Sequence, residues 1–247
     1  MKIEKKLDLT LLLCTFNEEK RVRNAIKNIL DVLSDVDFKY EIIVIDNNST
    51  DNTKKEIIKL NDSRIKNIFN SENIGKGGSI KKGINISNSH FIMIFDPDLE
   101  YAAEDIIKMY DEITKSKSDF IIGSRRLNKT FSLNEIIKDK NKGFSYSINY
   151  LGVFFLTTII NILYKQSLTD SASALKIFKT DFIKKIKLNR NGFNLDFELV
   201  CRSALNNGKI LEIPIDYFPR SKKDGKKIKA LKDGFLSLIA IIQDRII

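Results

Sequence analysis

The stretch YEIIVIDNNSTDNTKKEII, residues 40–58, sets the pattern from which the rest of the chain is read. Tyr40, Ile42, Ile43, Val44 and Ile45 form a near-continuous apolar run, as in a strand covered on both faces. A polar turn over residues 46–52 follows, and then a helical segment through Ile57 and Ile58. Ser49 or Asp51 is placed to cap that helix, since their short oxygen-bearing side chains reach nearby backbone N–H groups.

The same unit recurs on either side. Residues 7–13 read as a strand, followed by a helix whose apolar positions Val22, Ile26, Ile29, Leu30 and Leu33 share one face. Residues 65–69, 91–95 and 120–122 supply three more strands, and a helix runs around Ile106, Ile107 and Tyr110. This alternation predicts an α/β fold with a mostly parallel central sheet and helices on both faces. His90, at the opening of a strand, reads as structural. The expected organisation is one domain over residues 1–230, then an apolar helix over 231–247 suited to packing on the domain or lying at a membrane interface.

Composition narrows the function classes. At 247 residues, the chain can bury a full-sized core. Its formal net charge of +10 favours polyanionic partners: nucleotide phosphates, anionic lipid or nucleic acid. Cys14 and Cys201 stand far apart and outside any metal-binding spacing, so neither a zinc site nor a disulfide framework follows, and a reducing compartment is expected. The early apolar run is too short for a signal peptide, and no apolar stretch reaches the length of a transmembrane helix. Two shorter apolar segments, 150–163 and 235–247, remain to be placed.

In open α/β sheets, ligands bind at the carboxyl ends of the strands, which directs attention to residues 14–18, 46–51, 96–100 and 123–126. In FDPDLEY, residues 95–101, Asp96 and Asp98 flank one residue at a strand end, with Glu100 two further on. Hard divalent cations take such carboxylates together with substrate phosphates, and can offset charge developing on a diphosphate leaving group. The same spacing also suits a turn with solvated aspartates. NIGKGGSIKKG, residues 73–83, lacks the spacing of a Walker A loop. Its glycines 75, 77 and 78, with Lys76, suit either a phosphate contact or a purely structural turn.

Taken in order, TFNEE (15–19), VIDNNSTDNT (44–53), NIGKGGSIKKGI (73–84), FDPDLEY (95–101), GSRR (123–126), TDSASALKIFKTDF (169–182) and EIPIDYFPRSKKDGKKI (212–228) resemble the family 2 glycosyltransferases. Within these, they are most similar to the dolichyl-phosphate mannose synthase and polyprenyl-phosphate branch. The resemblance runs from about residue 9 to 234 and implies a GT-A fold. It implies that Phe16 and Glu18 line a nucleotide pocket, and that Ile45 and Asn47 contact the base. Asp96, Pro97 and Asp98 would lie at the diphosphate, with Asp98, Glu100 and Asp96 around Mg²⁺ or Mn²⁺. Arg125, Arg220 and Lys226 would hold the diphosphate or an acceptor phosphate, with Asp98, Arg220 and Lys226 as the catalytic set. Two departures stand out. Pro is usual where Cys14 or Thr15 stands, and Asp where Asn47 stands. Asn47 can still accept a hydrogen bond from a base but carries no charge, which leaves the base preference open.

The branch implies a nucleotide-sugar donor (GDP-mannose or a UDP-sugar), a polyprenyl-phosphate acceptor, and transfer with inversion. A phosphate acceptor is already ionised and needs cations rather than a base, which suits the six basic residues of RSKKDGKKIK, 220–229. A hydroxyl acceptor would need a carboxylate base, with Asp170 and Asp196 as candidates. Processive synthases of the family carry a Gln-x-x-Arg-Trp motif, and this chain has no Trp. A basic stretch beside an apolar helix suits an anionic membrane surface, so the expectation is a peripheral protein on the cytoplasmic face, where a membrane protein is a further candidate partner. A nucleic-acid-binding role explains the charge but not the ordered acidic motifs, and no nucleic-acid partner is expected.

Overall fold

The computed structural model describes residues 6–127, 143–220 and 230–246. Its centre is a seven-stranded sheet: β1 (Leu9–Thr15), β2 (Tyr40–Asp46), β3 (Ile65–Phe69), β4 (Phe91–Ile94), β5 (Phe120–Ser124), β6 (Lys176–Lys179) and β7 (Ile210–Pro214). They lie in the order β3-β2-β1-β4-β6-β5-β7. All neighbours run parallel except β6, which is antiparallel to both β4 and β5. The five expected strands are present, and β6 and β7 add to them.

Helices cover both faces. On one lie α1 (Val22–Val32), α2 (Thr53–Ile58) and α4 (Glu104–Lys115); on the other α3 (Gly75–Ile86), α5 (Gly143–Tyr164) and α7 (Leu195–Leu205), beside α8 (Ala230–Ile246). A short turn of helix, α6 (Thr180–Ile183), follows β6. Side chains alternate across a strand, so β1 sends Leu9, Leu11 and Leu13 into a core with Val22, Ile26 and Met109, and Leu12 into a second core with Ile80, Ile160 and Ile241. Both layers are fully buried. The two apolar segments noted in the sequence lie in α5 and α8, which pack against each other. No described helix is long and apolar enough to cross a membrane.

α8 is pinned to the body through its inner face. Ser237, Ala240, Ile241 and Asp244 recur at helical spacing and are all buried. Asp244 meets Arg202 at 2.8 Å and Arg190 at 3.6 Å, and the Tyr164 hydroxyl donates to the Ile241 carbonyl at 2.6 Å. Its outer face leaves Phe235, Leu236, Ile242 and Ile246 exposed.

Candidate active site

The loops after β1 and β2 are joined by a polar network. Asn17, at φ +52°, accepts from the Thr50 N–H at 2.8 Å, while its own N–H donates to Ser49 Oγ at 2.9 Å. The Glu18 N–H donates to Thr53 Oγ1 at 2.7 Å. Asp46 accepts from the Ser49 N–H, and Asp51 from the Thr53 N–H at the start of α2. These bonds hold the loop that places Phe16 and Glu18 in the wall of a cavity of about 740 Å³ at the carboxyl ends of β1, β2 and β4.

Asp96, Pro97, Asp98, Glu100, Phe16, Glu18, Asn47, Arg125 and Arg220 all line this cavity. They come from five separate stretches of the sequence, and the fold brings these together. Ile45 lies elsewhere. Its side chain is fully buried in the second core and does not reach the cavity. Asn47 lines the wall, but its amide already works inside the protein: Oδ1 accepts from the Ile74 N–H and Asn70, and Nδ2 donates to Asn73. The base contact expected of Ile45 therefore has no side chain at the cavity, and that of Asn47 competes with three internal hydrogen bonds. Lys226, with the rest of 221–229, lies outside the described residues.

Three carboxylates converge on one guanidinium. Arg220 Nε donates to Glu100 Oε1 at 2.9 Å, one terminal nitrogen to Asp98 Oδ2, and the other lies 3.3 Å from both Glu18 oxygens. Tyr217 donates its hydroxyl to Glu100 Oε2. Burial first, and then the charges of Asp96 and Glu100, push Asp98 up to about 7 against the pull of Arg220. Burial also works upward on Glu100, but the hydrogen bonds from Tyr217 and Arg220 outweigh it and hold that carboxyl below its usual value. Between Asp98 and Glu100, Leu99 has φ +65°, a left-handed conformation costly for a non-glycine residue. That turn lets Asp98 Oδ1 accept the Glu100 N–H at 3.1 Å.

Among the described residues, no group of three or more His, Cys, Asp or Glu side chains is gathered as a ready-made cation cage. The donor chemistry nevertheless fits a hard divalent ion. Asp98 and Glu100 are oxygen donors at a strand end, already drawn onto a cation, and Mg²⁺ is ordinarily held by one or two carboxylates plus substrate phosphates. Arg220 supplies the positive charge beside these two carboxylates.

The glycine motif has a packing explanation. At Gly75, with φ +79°, an added Cβ would lie 2.2 Å from the Asn191 carbonyl oxygen; at Gly77 it would lie 2.8 Å from that of Arg190. The Gly78 N–H donates to the Asn191 carbonyl at 3.3 Å. These glycines admit the 190–192 backbone against the start of α3, and Lys76 is thereby turned onto Asp96 at 2.7 Å. Arg125 likewise has an internal partner. Its Nε and one terminal nitrogen bind Asp170 at 2.6 and 2.8 Å, and its guanidinium stacks on Tyr217. Asp170 is fully buried and is not part of the cavity wall, whereas Asp196 is. Lys176, fully buried beside Asp196, and Tyr217, in the cavity wall, lie within the stretches 169–182 and 212–228 but are not among the expected site residues.

Comparison with known proteins agrees with this architecture. Residues 10–186 match the model of glycosyl transferase family 2. The chain is 24% identical to glycosyltransferase AglJ of Haloferax volcanii over 85% of its own length, and spans 65% of that relative. It is 26% identical to the UDP-N-acetylglucosamine–dolichyl-phosphate N-acetylglucosaminyltransferase of Methanococcus voltae, covering 83% of each chain. Its fold matches glucosyl-3-phosphoglycerate synthase of Mycobacterium tuberculosis, in a structure with Mn²⁺, UDP-glucose and phosphoglyceric acid, at a TM-score of 0.69 and 13% identity over 98% of this chain and 80% of that one. The fold is GT-A, and the chain belongs to glycosyl transferase family 2, a family of sugar-transferring enzymes.

Proposed function

We propose that this enzyme transfers one sugar, with inversion, from a nucleotide-diphosphate sugar to the phosphate of a polyprenyl lipid at an anionic membrane surface. The observation that carries this reading is the mixed lining of the cavity. Asp96, Asp98, Glu100, Lys76 and Arg220 give it a charged wall, and α5 and α8 add Phe155, Leu156, Phe235 and Leu238. Leu151, Phe154 and Phe155 on α5 and Phe235 and Leu236 on α8 are also exposed, an apolar surface that water alone does not favour. An acceptor with an anionic head and an apolar tail matches both kinds of lining. The relative from M. voltae, named for transfer to dolichyl phosphate, supports the same choice.

In this reading Asp98 and Glu100, with Asp96 beside them, would hold Mg²⁺ or Mn²⁺, which would supply charge stabilisation to a departing nucleoside diphosphate. Arg220 and Lys226 bring the two phosphate-bearing substrates together, because two anions do not approach without intervening cations. Phe16 and Glu18 border the nucleotide. Arg125, neutralised by Asp170, shapes the wall under Tyr217. An ionised phosphate attacks without a proton to remove, so no carboxylate base is required. The test is incubation with membranes and radiolabelled UDP- and GDP-sugars. Label from one donor should enter the lipid fraction, and Asp98→Asn should abolish it. Label that never enters lipid with any donor contradicts the reading.

A further inference from the structure

Asp196 is a cavity residue whose place in the reaction is unassigned by the reading above. It stands in the first turn of α7, 7% exposed, yet its buried Oδ1 accepts no hydrogen bond among the described residues. Oδ1 lies 3.6 Å from Lys176 Nζ, and Oδ2 lies 3.8 Å from Lys76 Nζ, which itself grips Asp96 at 2.7 Å. The charges thus alternate along a chain: Asp96, Lys76, Asp196, Lys176. Lys176 is fully buried at the start of β6, and its ammonium also donates to the carbonyls of Ser173 and Ser171. Burying an ammonium costs several kcal/mol unless it is paired and hydrogen-bonded. Holding Asp196 is the use this fold makes of it.

A buried carboxylate with its charge offset but an oxygen left without a hydrogen bond is an acceptor awaiting a donor. Phosphate oxygens offer no hydrogen and would be repelled. Lys76 ties Asp196 to Asp96, at the end of β4 where the diphosphate lies in the reading above, so the adjoining moiety is the sugar. We propose that Asp196 is a specificity-determining residue that accepts a hydrogen bond from a hydroxyl of the sugar being transferred, with Lys176 as the residue that positions it. This rests on the donor assignment above and extends it.

The experiment compares the wild type with Asp196→Ala and Lys176→Met on UDP- and GDP-linked glucose, galactose, mannose and N-acetylglucosamine, alongside calorimetric binding of free UDP and GDP. In Asp196→Ala, kcat/KM for the preferred donor should fall by about ten- to a hundredfold, the loss expected for a hydrogen bond to a charged group. It should fall much less for the epimeric donors, so that discrimination collapses, while affinity for the free nucleotide stays within about twofold. Lys176→Met should move discrimination in the same direction; if that variant does not fold, Asp196→Ala decides alone. Equal loss with every donor, as a general base would give, overturns the assignment. So does loss of free-nucleotide binding, or an unchanged donor preference. A wild type that turns over none of the donors overturns the donor assignment itself and this inference with it.

Discussion

Arg220 closes on Asp98 across 122 residues of sequence, and the same guanidinium holds Glu100 and reaches Glu18. A planar fork of five N–H donors can serve several carboxylates at once, where an ammonium offers a single point of charge. The arginine therefore ties three carboxylates from two separate stretches of the chain into one cluster.

Arg220→Ala should lower turnover by about two decades or more, as for loss of one preorganised charge donor, and Arg220→Lys should recover only part. Removing one partner from a largely buried ionic cluster also costs on the order of 3 kcal/mol of stability. Because the carboxylates left behind still want a cation, Mn²⁺ should raise the melting temperature of Arg220→Ala more than that of the wild type. Equal shifts in the two proteins would show that Arg220 and the metal do not share these carboxylates.

Asp170 gives a pH-dependent prediction. Burial works upward on its carboxyl, but the charge and hydrogen bonds of Arg125 outweigh burial and leave it below the usual carboxylate value. A depressed folded-state value adds stability above the unfolded value of about 3.9, and this stability is lost as pH falls through the folded value. Asp170→Asn should therefore be destabilised at pH 7 and should flatten the loss of stability below about pH 4. Urea melts at a series of pH values check this; parallel curves for the two proteins would refute it.

Both thiols should be inert in the folded enzyme. Burial pushes Cys14 up to about 12, with Asp96 and Asp196 adding to it against Lys76, and Cys201 is likewise pushed up to about 12 by burial. The thiolate is the reactive form, so iodoacetamide at pH 8 should modify neither in the native state and both in urea. Cys14 is half-buried in the cavity wall, so rapid native labelling there would refute its inertness.

Gly75→Ala should be strongly destabilising, because its Cβ would meet the Asn191 carbonyl at 2.2 Å and its φ of +79° suits glycine. Thermal melts compare it with Gly152→Ala, where nothing lies within 4 Å of the added methyl and helix propensity favours alanine. A smaller loss at Gly75 than at Gly152 would refute the packing role.

What the sequence disclosed follows from range. β1, β2 and β4 were legible because their residues are apolar on both faces, and the acids after β2 and β4 because strand ends collect ligands. β6 was hidden by Lys176 and Lys179 at its two ends, and β7 by Glu212 and Pro214. The glycines read as phosphate contacts or a structural turn, and only their close approach to residues 190–192 separates the two. The Asp196–Lys176 pair joins a helix to a strand, a meeting no local pattern announces. The resemblance placed Asn47 at the base, and its internal hydrogen bonds appear only in three dimensions.

The claim at the centre of this account is that the acceptor atom is a phosphate oxygen. The direct measurement gives the purified enzyme one accepted nucleotide sugar with Mg²⁺, and offers in parallel a polyprenyl phosphate and the corresponding polyprenol in the same detergent. The account predicts sugar transfer to the phosphate alone, at a rate that collapses in Arg220→Ala. Transfer to the alcohol, with Arg220 dispensable, would contradict it.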